Sequence, residues 1–290
     1  LTSGASDIAW PRNPFTPEDA ALLTSSGATI ESRALPGPSY AFYPNVTDGH
    51  PLSDPLVRDA LQKAIDRETY AATIYGPDYP VVEGAFDSTT PFFVSEADKL
   101  AYDPDGAAEL LNEAGWTLED GATYRTKDGQ TLTIVEPITA ESPGDVLLQD
   151  QLKQIGIQLE LTVFQASERA SIIANGNYDL IATYYTRADP GVLQWILDDR
   201  YSGSKALAAN AQSAETAQQI KDLFDQGLEE TDFSARADVY AQLQDLLIDE
   251  GVSFPVFERV QQAATASDVH GFRFTSESFL SYYDIWKDAS

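Results

Sequence analysis

Cysteine is absent from the sequence, which removes disulfides, thiolate zinc sites, iron–sulfur clusters and cysteine nucleophiles together. That absence is compatible with life outside the reducing cytosol. Histidine occurs only at His50 and His270. No His-Glu-x-x-His pair exists, and a Ser-His-Asp triad would have to draw on one of these two. His50 sits in the turn-like Asp48-Gly49-His50-Pro51 and His270 precedes Gly271 in a polar stretch, so a solvated loop histidine is expected at both. Basic residues are scarce: 18 Lys+Arg face 46 Asp+Glu, a formal charge of −28. Phosphate backbones and anionic membranes both require a basic face, which excludes nucleic acid as a partner. There is no phosphate-loop or Gly-x-Gly-x-x-Gly motif, and no apolar run nears the ~18 residues that span a bilayer. Methionine is absent too, and Leu1-Thr2-Ser3-Gly4 carries no basic leader region, so a processed chain or an excised piece is expected.

Against these absences stand 290 residues and an apolar fraction of 43%, enough for a sizeable core and one or two domains. Residues 1–48 hold six prolines and two short extended stretches, Glu31-Ser32-Arg33-Ala34-Leu35 and Tyr40-Ala41-Phe42-Tyr43, without the periodic apolar mass of a core. From Ser53 the signals become regular. Asp54-Pro55 pairs an N-cap with proline at the first helical position, and Leu56, Val57, Ala60, Leu61, Ala64 and Ile65 follow at helical spacing. Asp103-Pro104 repeats the device, and Gly115 closes that helix. Lys127-Asp128-Gly129 predicts a hairpin turn.

The strand Thr131–Val135, a helix over 146–155 stopped by Gly156, and the alternating Ile157, Leu159, Leu161 and Val163 predict a βαβ unit with parallel strands. A strand over 178–185 and a helix after Pro190 come next. Amphipathic helices over 214–228 and 235–248 precede an extended, aromatic C-terminal stretch. These signals outline one α/β domain over 49–258, flanked by 1–48 and 259–290, which are poor in helix and belong together in space.

The order of several segments resembles one family, the family 5 extracellular solute-binding proteins (oligopeptide, dipeptide and nickel type) that feed ABC importers. Pro51-Leu52-Ser53-Asp54-Pro55-Leu56-Val57-Arg58 running into Ala64-Ile65-Asp66-Arg67 carries the strongest likeness. Tyr102-Asp103-Pro104 with Leu110-Leu111-Asn112-Glu113-Ala114-Gly115-Trp116, then Gln151-Leu152-Lys153-Gln154-Ile155-Gly156-Ile157, Asn177-Tyr178-Asp179-Leu180 and Ala188-Asp189-Pro190 continue it. Leu1-Thr2-Ser3-Gly4-Ala5-Ser6-Asp7-Ile8-Ala9 is similar to a segment that the family's first lobe and N-terminal region precede. The resemblance implies a periplasmic-binding-protein-like α/β fold (type II, cluster C). Residues 1–48 would be the tail of lobe one, 49–258 lobe two and 259–290 the return to lobe one, the N-terminal lobe itself being missing.

The resemblance further implies a non-enzyme that captures a small solute, an oligopeptide or similar, between two lobes and docks on ABC permease subunits. It would work outside the cytoplasm, periplasmic or lipid-anchored at the cell surface, with no cofactor and no metal site of its own. A secreted acidic hydrolase and a single-lobe interaction or sensor module are the alternatives. Carboxylate neighbours such as Asp198-Asp199 and Glu229-Glu230 are expected on solvated helix faces, and nothing singles out a glycosidase pair.

In peptide-binding relatives the loop after the 178–185 strand supplies an aspartate for the peptide's α-amino group. Here Tyr184-Tyr185-Thr186-Arg187-Ala188-Asp189-Pro190 departs from that pattern, with tyrosine in place of tryptophan, a shorter loop and Arg187 inserted. Asp189 would take that role or cap the helix at Pro190. Arg187 would fork a ligand carboxylate or pair locally. Tyr184 and Tyr185 point to opposite faces, one to the core and one to the cleft. Tyr40 lies near the lobe crossover and joins these four as a candidate ligand residue, or packs beneath the hinge with Phe42 and Tyr43.

Overall fold

A computed structural model describes residues 1–11, 14–76 and 79–289. The aspartate–proline pairs act as their chemistry dictates. Asp54 accepts the Leu56 N–H ahead of the helix Pro55–Ala64, and Asp103 accepts the Gly106 N–H ahead of Pro104–Glu113. Between them Asp66 caps Arg67–Tyr75. Gly115 ends its helix at φ +85°, and Asp128 and Gly129 turn the expected hairpin at φ +52° and +78°.

The predicted βαβ unit is present: Thr133–Ile138 and Gln158–Val163 pair in parallel, joined by Pro143–Gln154. A second group of strands is antiparallel, with Tyr40–Pro44 at its centre, Leu180–Thr183 on one side and Phe254–Phe257 on the other. Asp179 welds the two groups together. Its N–H donates to the Val135 carbonyl and its Oδ2 accepts the Val135 N–H, each at 2.8 Å, so a carboxylate stands where a strand would offer a carbonyl. The other carboxylate oxygen lies 2.7 Å from His50 Nδ1, while His50 Nε2 lies 3.1 Å from Asn45 Nδ2. Because the carboxylate accepts, Nδ1 carries the proton and Nε2 accepts from the asparagine amide. His50 is therefore a structural hub rather than the solvated loop histidine expected. His270 meets that expectation better, half exposed beside Asp288.

Two buried clusters cover the opposite faces of this sheet, as the two-residue strand period requires. Phe42 and Leu180 point into one, with Val57, Leu61, Leu111 and Leu152. Ala41, Tyr43 and Ile181 point into the other, against the hairpin of helices Ala214–Glu229 and Phe233–Asp249. Buried Arg67 ties the first helices to the sheet, donating to the carbonyls of Gln62, Ile65, Leu100 and Pro255 and to Gln62 Oε1.

The flanks form a separate antiparallel sheet in the order Ile8–Ala9, Val260–Thr265, Thr29–Ala34. It has no large buried cluster of its own, and Trp10, Leu22, Phe279, Tyr282, Tyr283 and Trp286 remain exposed. Tyr40–Pro44, grouped by sequence with residues 1–48, is the central strand of the larger sheet. The crossing between the sheets thus runs through Leu35–Ser39 on the way out and Glu258–Arg259 on the way back. There the Leu35 N–H donates to the Arg259 carbonyl at 2.8 Å. Gly37 occupies φ +125° at this crossing, and a Cβ there would collide with the Tyr185 carbonyl. The helix expected after Pro190 is shorter than its pattern, a tight turn Pro190–Leu193 leading into Gln194–Leu197.

Candidate functional site

A cavity of about 440 Å³ opens at the seam between the two sheets. One wall is a run of aromatic rings. Tyr184 lies 5.8 Å from Tyr40, Tyr40 stacks on Phe257 at 4.5 Å, Phe257 meets Tyr75 at 5.3 Å, and Tyr75 stacks on Tyr79 at 4.3 Å. Three of these rings come from strand and helix ends: Tyr40 opens the central strand, Phe257 closes its neighbour directly opposite, and Tyr75 closes a helix. Burial pushes the Tyr75 hydroxyl up to about 12 and those of Tyr40 and Tyr79 higher still, so all three stay neutral donors.

Arg259 caps the run, its guanidinium 4.3 Å from the Tyr184 ring. The side chain is 6% exposed. Nη2 donates to the Thr186 hydroxyl, while Nη1 is buried without a partner. Burial lowers the Arg259 pKa, offset in part by Asp87. Asp87 itself is pushed well above the usual carboxylate range by burial, and its Oδ2 has no partner either. Behind Tyr40, buried Glu136 is pushed up to about 8, by burial first and the Asp145 charge second.

The five candidate residues separate in space. Tyr40 and Tyr184 line the cavity. Tyr185 faces the opposite cluster and meets Trp195 edge-on at 5.6 Å, which resolves the alternation of the two tyrosines. Arg187 lies outside the wall, 5.5 Å over the Trp195 ring and 4.0 Å from Glu277. Asp189 accepts the Gly191 N–H at 2.8 Å, the capping geometry, with Arg236 at 3.6 Å. Phe257, Arg259, Tyr75 and Tyr79 went unread in the sequence. For Phe257 and Arg259 the one signal is the return of extended, aromatic sequence after Pro255; Tyr75 and Tyr79 carry none.

The serine and threonine hydroxyls of the cavity are engaged, Thr186 by Arg259 and Ser278 by the Ala34 carbonyl, and neither histidine lines it. Asp198, expected on a solvated face, is instead fully buried and chelated by Arg200 at 2.7–3.0 Å, away from the cavity. Among the described residues no group of three or more His, Cys, Asp or Glu is placed to hold a metal ion. No helix there is long and apolar enough to cross a membrane.

The profile of the bacterial extracellular solute-binding proteins, family 5 (middle region), matches residues 1–205. The glutathione-binding protein GsiB of Shigella flexneri serotype 5b is 24% identical over 98% of this chain, which covers 54% of that protein. A probable di/tripeptide-binding protein of Pseudomonas aeruginosa is 24% identical over 94% of the chain, covering 50% of its own length. The chain thus spans about half the length of the curated relatives it matches. Among solved structures, NikA from Brucella suis, crystallised with Fe(III)-EDTA, superposes with a TM-score of 0.84 at 24% identity over 99% of this chain and 58% of that one. That likeness establishes the fold.

Proposed function

The chain belongs to the bacterial extracellular solute-binding proteins of family 5, and on that premise we propose that the aromatic cavity is its share of a solute-binding cleft. The observation that carries this reading is the position of the cavity. It lies where the chain crosses between two sheets, walled by rings on the side of the larger sheet and by Val260 and Gln261 of the smaller, and it holds no nucleophile–base pair. The protein is a binder, not an enzyme. Its solute is peptide-like, held against Tyr40 and Tyr184 with Arg187 at the rim, and Asp189 serves as a helix cap. The exposed apolar residues of the flanks, Trp10, Leu22, Phe279 and Trp286 among them, are covered by chain outside residues 1–290, which supplies the facing lobe. The assembled protein acts outside the cytoplasm, periplasmic or lipid-anchored, and hands its solute to ABC permease subunits.

Calorimetric titration of the intact protein, made from its complete gene, with di- and tripeptides tests this. Saturable binding without turnover is expected. Tyr184→Ala, a half-exposed position, lowers affinity about tenfold at unchanged melting temperature. Hydrolysis of the titrant, or affinity indifferent to Tyr184, would overturn the reading.

A further inference from the structure

Three arginines are buried among the described residues: Arg67, Arg125 and Arg259. A buried guanidinium is tolerated when its donors are satisfied, and two of the three obey. Arg67 makes five hydrogen bonds, four of them to carbonyls. Arg125 donates to the carbonyls of Ile155 and Trp116 and to Asn112 Oδ1. Arg259 makes one, to Thr186, and leaves Nη1 buried and unpartnered. It is also the one of the three that lines a cavity, and the only cationic residue that does so there.

Its charge is answered by Asp87 only in part and without an ion pair. Asp87 meets the Arg259 backbone N–H, not the guanidinium, and no salt bridge within 4.0 Å joins Arg259 to any described carboxylate. Glu277, the other charged residue of the lining, is occupied by the Ala188 N–H. In a chain of net charge −28 the general field repels anions, so an anion enters this cavity only on a specific local charge. A guanidinium with a free edge, flanked by ring faces, matches one planar oxyanion attached to a flat or apolar body.

We propose that Arg259 is the specificity-determining residue of the cleft and seats a carboxylate of the solute, whose apolar portion lies along Tyr184, Tyr40 and Phe257. This rests on the cavity being the solute site, and it narrows the solutes to carboxylates. One positive charge and one free edge suit a monoanion better than a phosphate dianion, which calls for more donors than the cavity offers.

The test uses two matched pairs with the intact protein in calorimetry: Ala-Phe against its C-terminal amide, and 3-phenylpropionate against 3-phenylpropionamide. In each pair only the carboxylate changes, and the second pair is not a peptide. The expected result is that at least one acid binds about tenfold or more tighter than its amide. Arg259→Gln abolishes that preference, and Arg259→Lys, which keeps charge without the fork, retains part of it. Should Arg259→Gln fail to fold, Thr186→Val, which frees Nη2 and leaves the charge, carries the test with an expected several-fold loss for the acids only.

Equal affinity for acid and amide, or a preference that survives Arg259→Gln, overturns the proposal and leaves the solute-binding reading standing. Inorganic phosphate binding more tightly than either acid overturns the carboxylate assignment. Phenylpropionate binding through Arg259 while no peptide binds upholds the carboxylate seat and removes the peptide-like solute. If no probe binds at up to about 10 mM, both readings fail together.

Discussion

Replacing Glu136 by glutamine should stabilise the protein at alkaline pH and leave it nearly unchanged in mild acid. Glu136 is 1% exposed on the strand Thr133–Ile138 and shares the buried face of Ile134. Its Oε2 has no hydrogen-bond partner. Burial, with the Asp145 charge in support, raises its pKa from an ordinary 4.5 to about 8. Between those two values the folded chain holds a proton that the unfolded chain has released, so stability falls as pH rises through the window. The gap of about 3.5 pH units, at about 1.36 kcal/mol each, puts the full cost near 5 kcal/mol above pH 8.

Glutamine mimics the neutral acid, so Glu136→Gln lies within about 1 kcal/mol of the parent at pH 4.5 and gains about 2–5 kcal/mol at pH 8.5. Urea denaturation of both proteins at pH 4.5, 6.5 and 8.5 measures this. Taking the difference between the two proteins cancels Glu96, which burial pushes up to about 7, and Asp87, which moves in the same direction. A difference independent of pH would refute the reasoning, because it would mean that Glu136 carries the same charge in both states across the range.

Asp179→Ala deprives the Val135 N–H of its acceptor and His50 of its partner. A loss of about 3–5 kcal/mol in urea unfolding is expected, with Asp179→Asn costing less because one acceptor oxygen remains. Asp189→Ala removes the cap on Gly191 and the contact with Arg236. It should cost about 1 kcal/mol of stability and leave solute affinity unchanged in calorimetry.

What was legible in the sequence is what local chemistry decides. Asp54-Pro55 and Asp103-Pro104 start helices because the cap and the fixed proline φ act within four residues. Lys127-Asp128-Gly129 turns a hairpin because asparagine-like and glycine residues accept positive φ, and the βαβ unit followed from apolar alternation. What failed depends on partners distant in the chain. Tyr40–Pro44 looked like part of the N-terminal flank because nothing in its five residues says which sheet it enters, and Leu180–Thr183 and Phe254–Phe257 decide that. His50 sits in a turn-like stretch, yet Asp179 draws it into the sheet. Asp198 looked solvated until Arg200 closed on it. At the site, the alternation of Tyr184 and Tyr185 told that one faced each way, and only the sheet's faces told which. Arg259 carries no signal of its own in the sequence, since an unpartnered donor is a property of the surroundings and not of the residue.

The position of the cavity also constrains how binding and closure relate. Tyr40 and Phe257, directly opposite each other, are the last main-sheet residues before the chain crosses, and Leu35 and Arg259, bonded to each other, lie just beyond. The crossing itself is held firmly. Gly37 takes a hydroxyl bond from Thr90 and an N–H bond from Asp87, and the Pro36 carbonyl accepts the Arg187 N–H at 3.0 Å. A solute pressed on Tyr40 and Phe257 while its carboxylate meets Arg259 therefore spans the two sheets within one residue or two of the strands that connect them. At that radius a rotation of one sheet against the other moves the contacts little, so a solute held there tolerates opening and closing alike. If a second lobe closes over this cavity as proposed, affinity that distinguishes open from closed comes from contacts farther from the crossing, on that lobe and on the rim residues Arg187 and Glu277. On the proposed reading, Arg259 selects which solute enters, and the distant contacts determine whether it is enclosed.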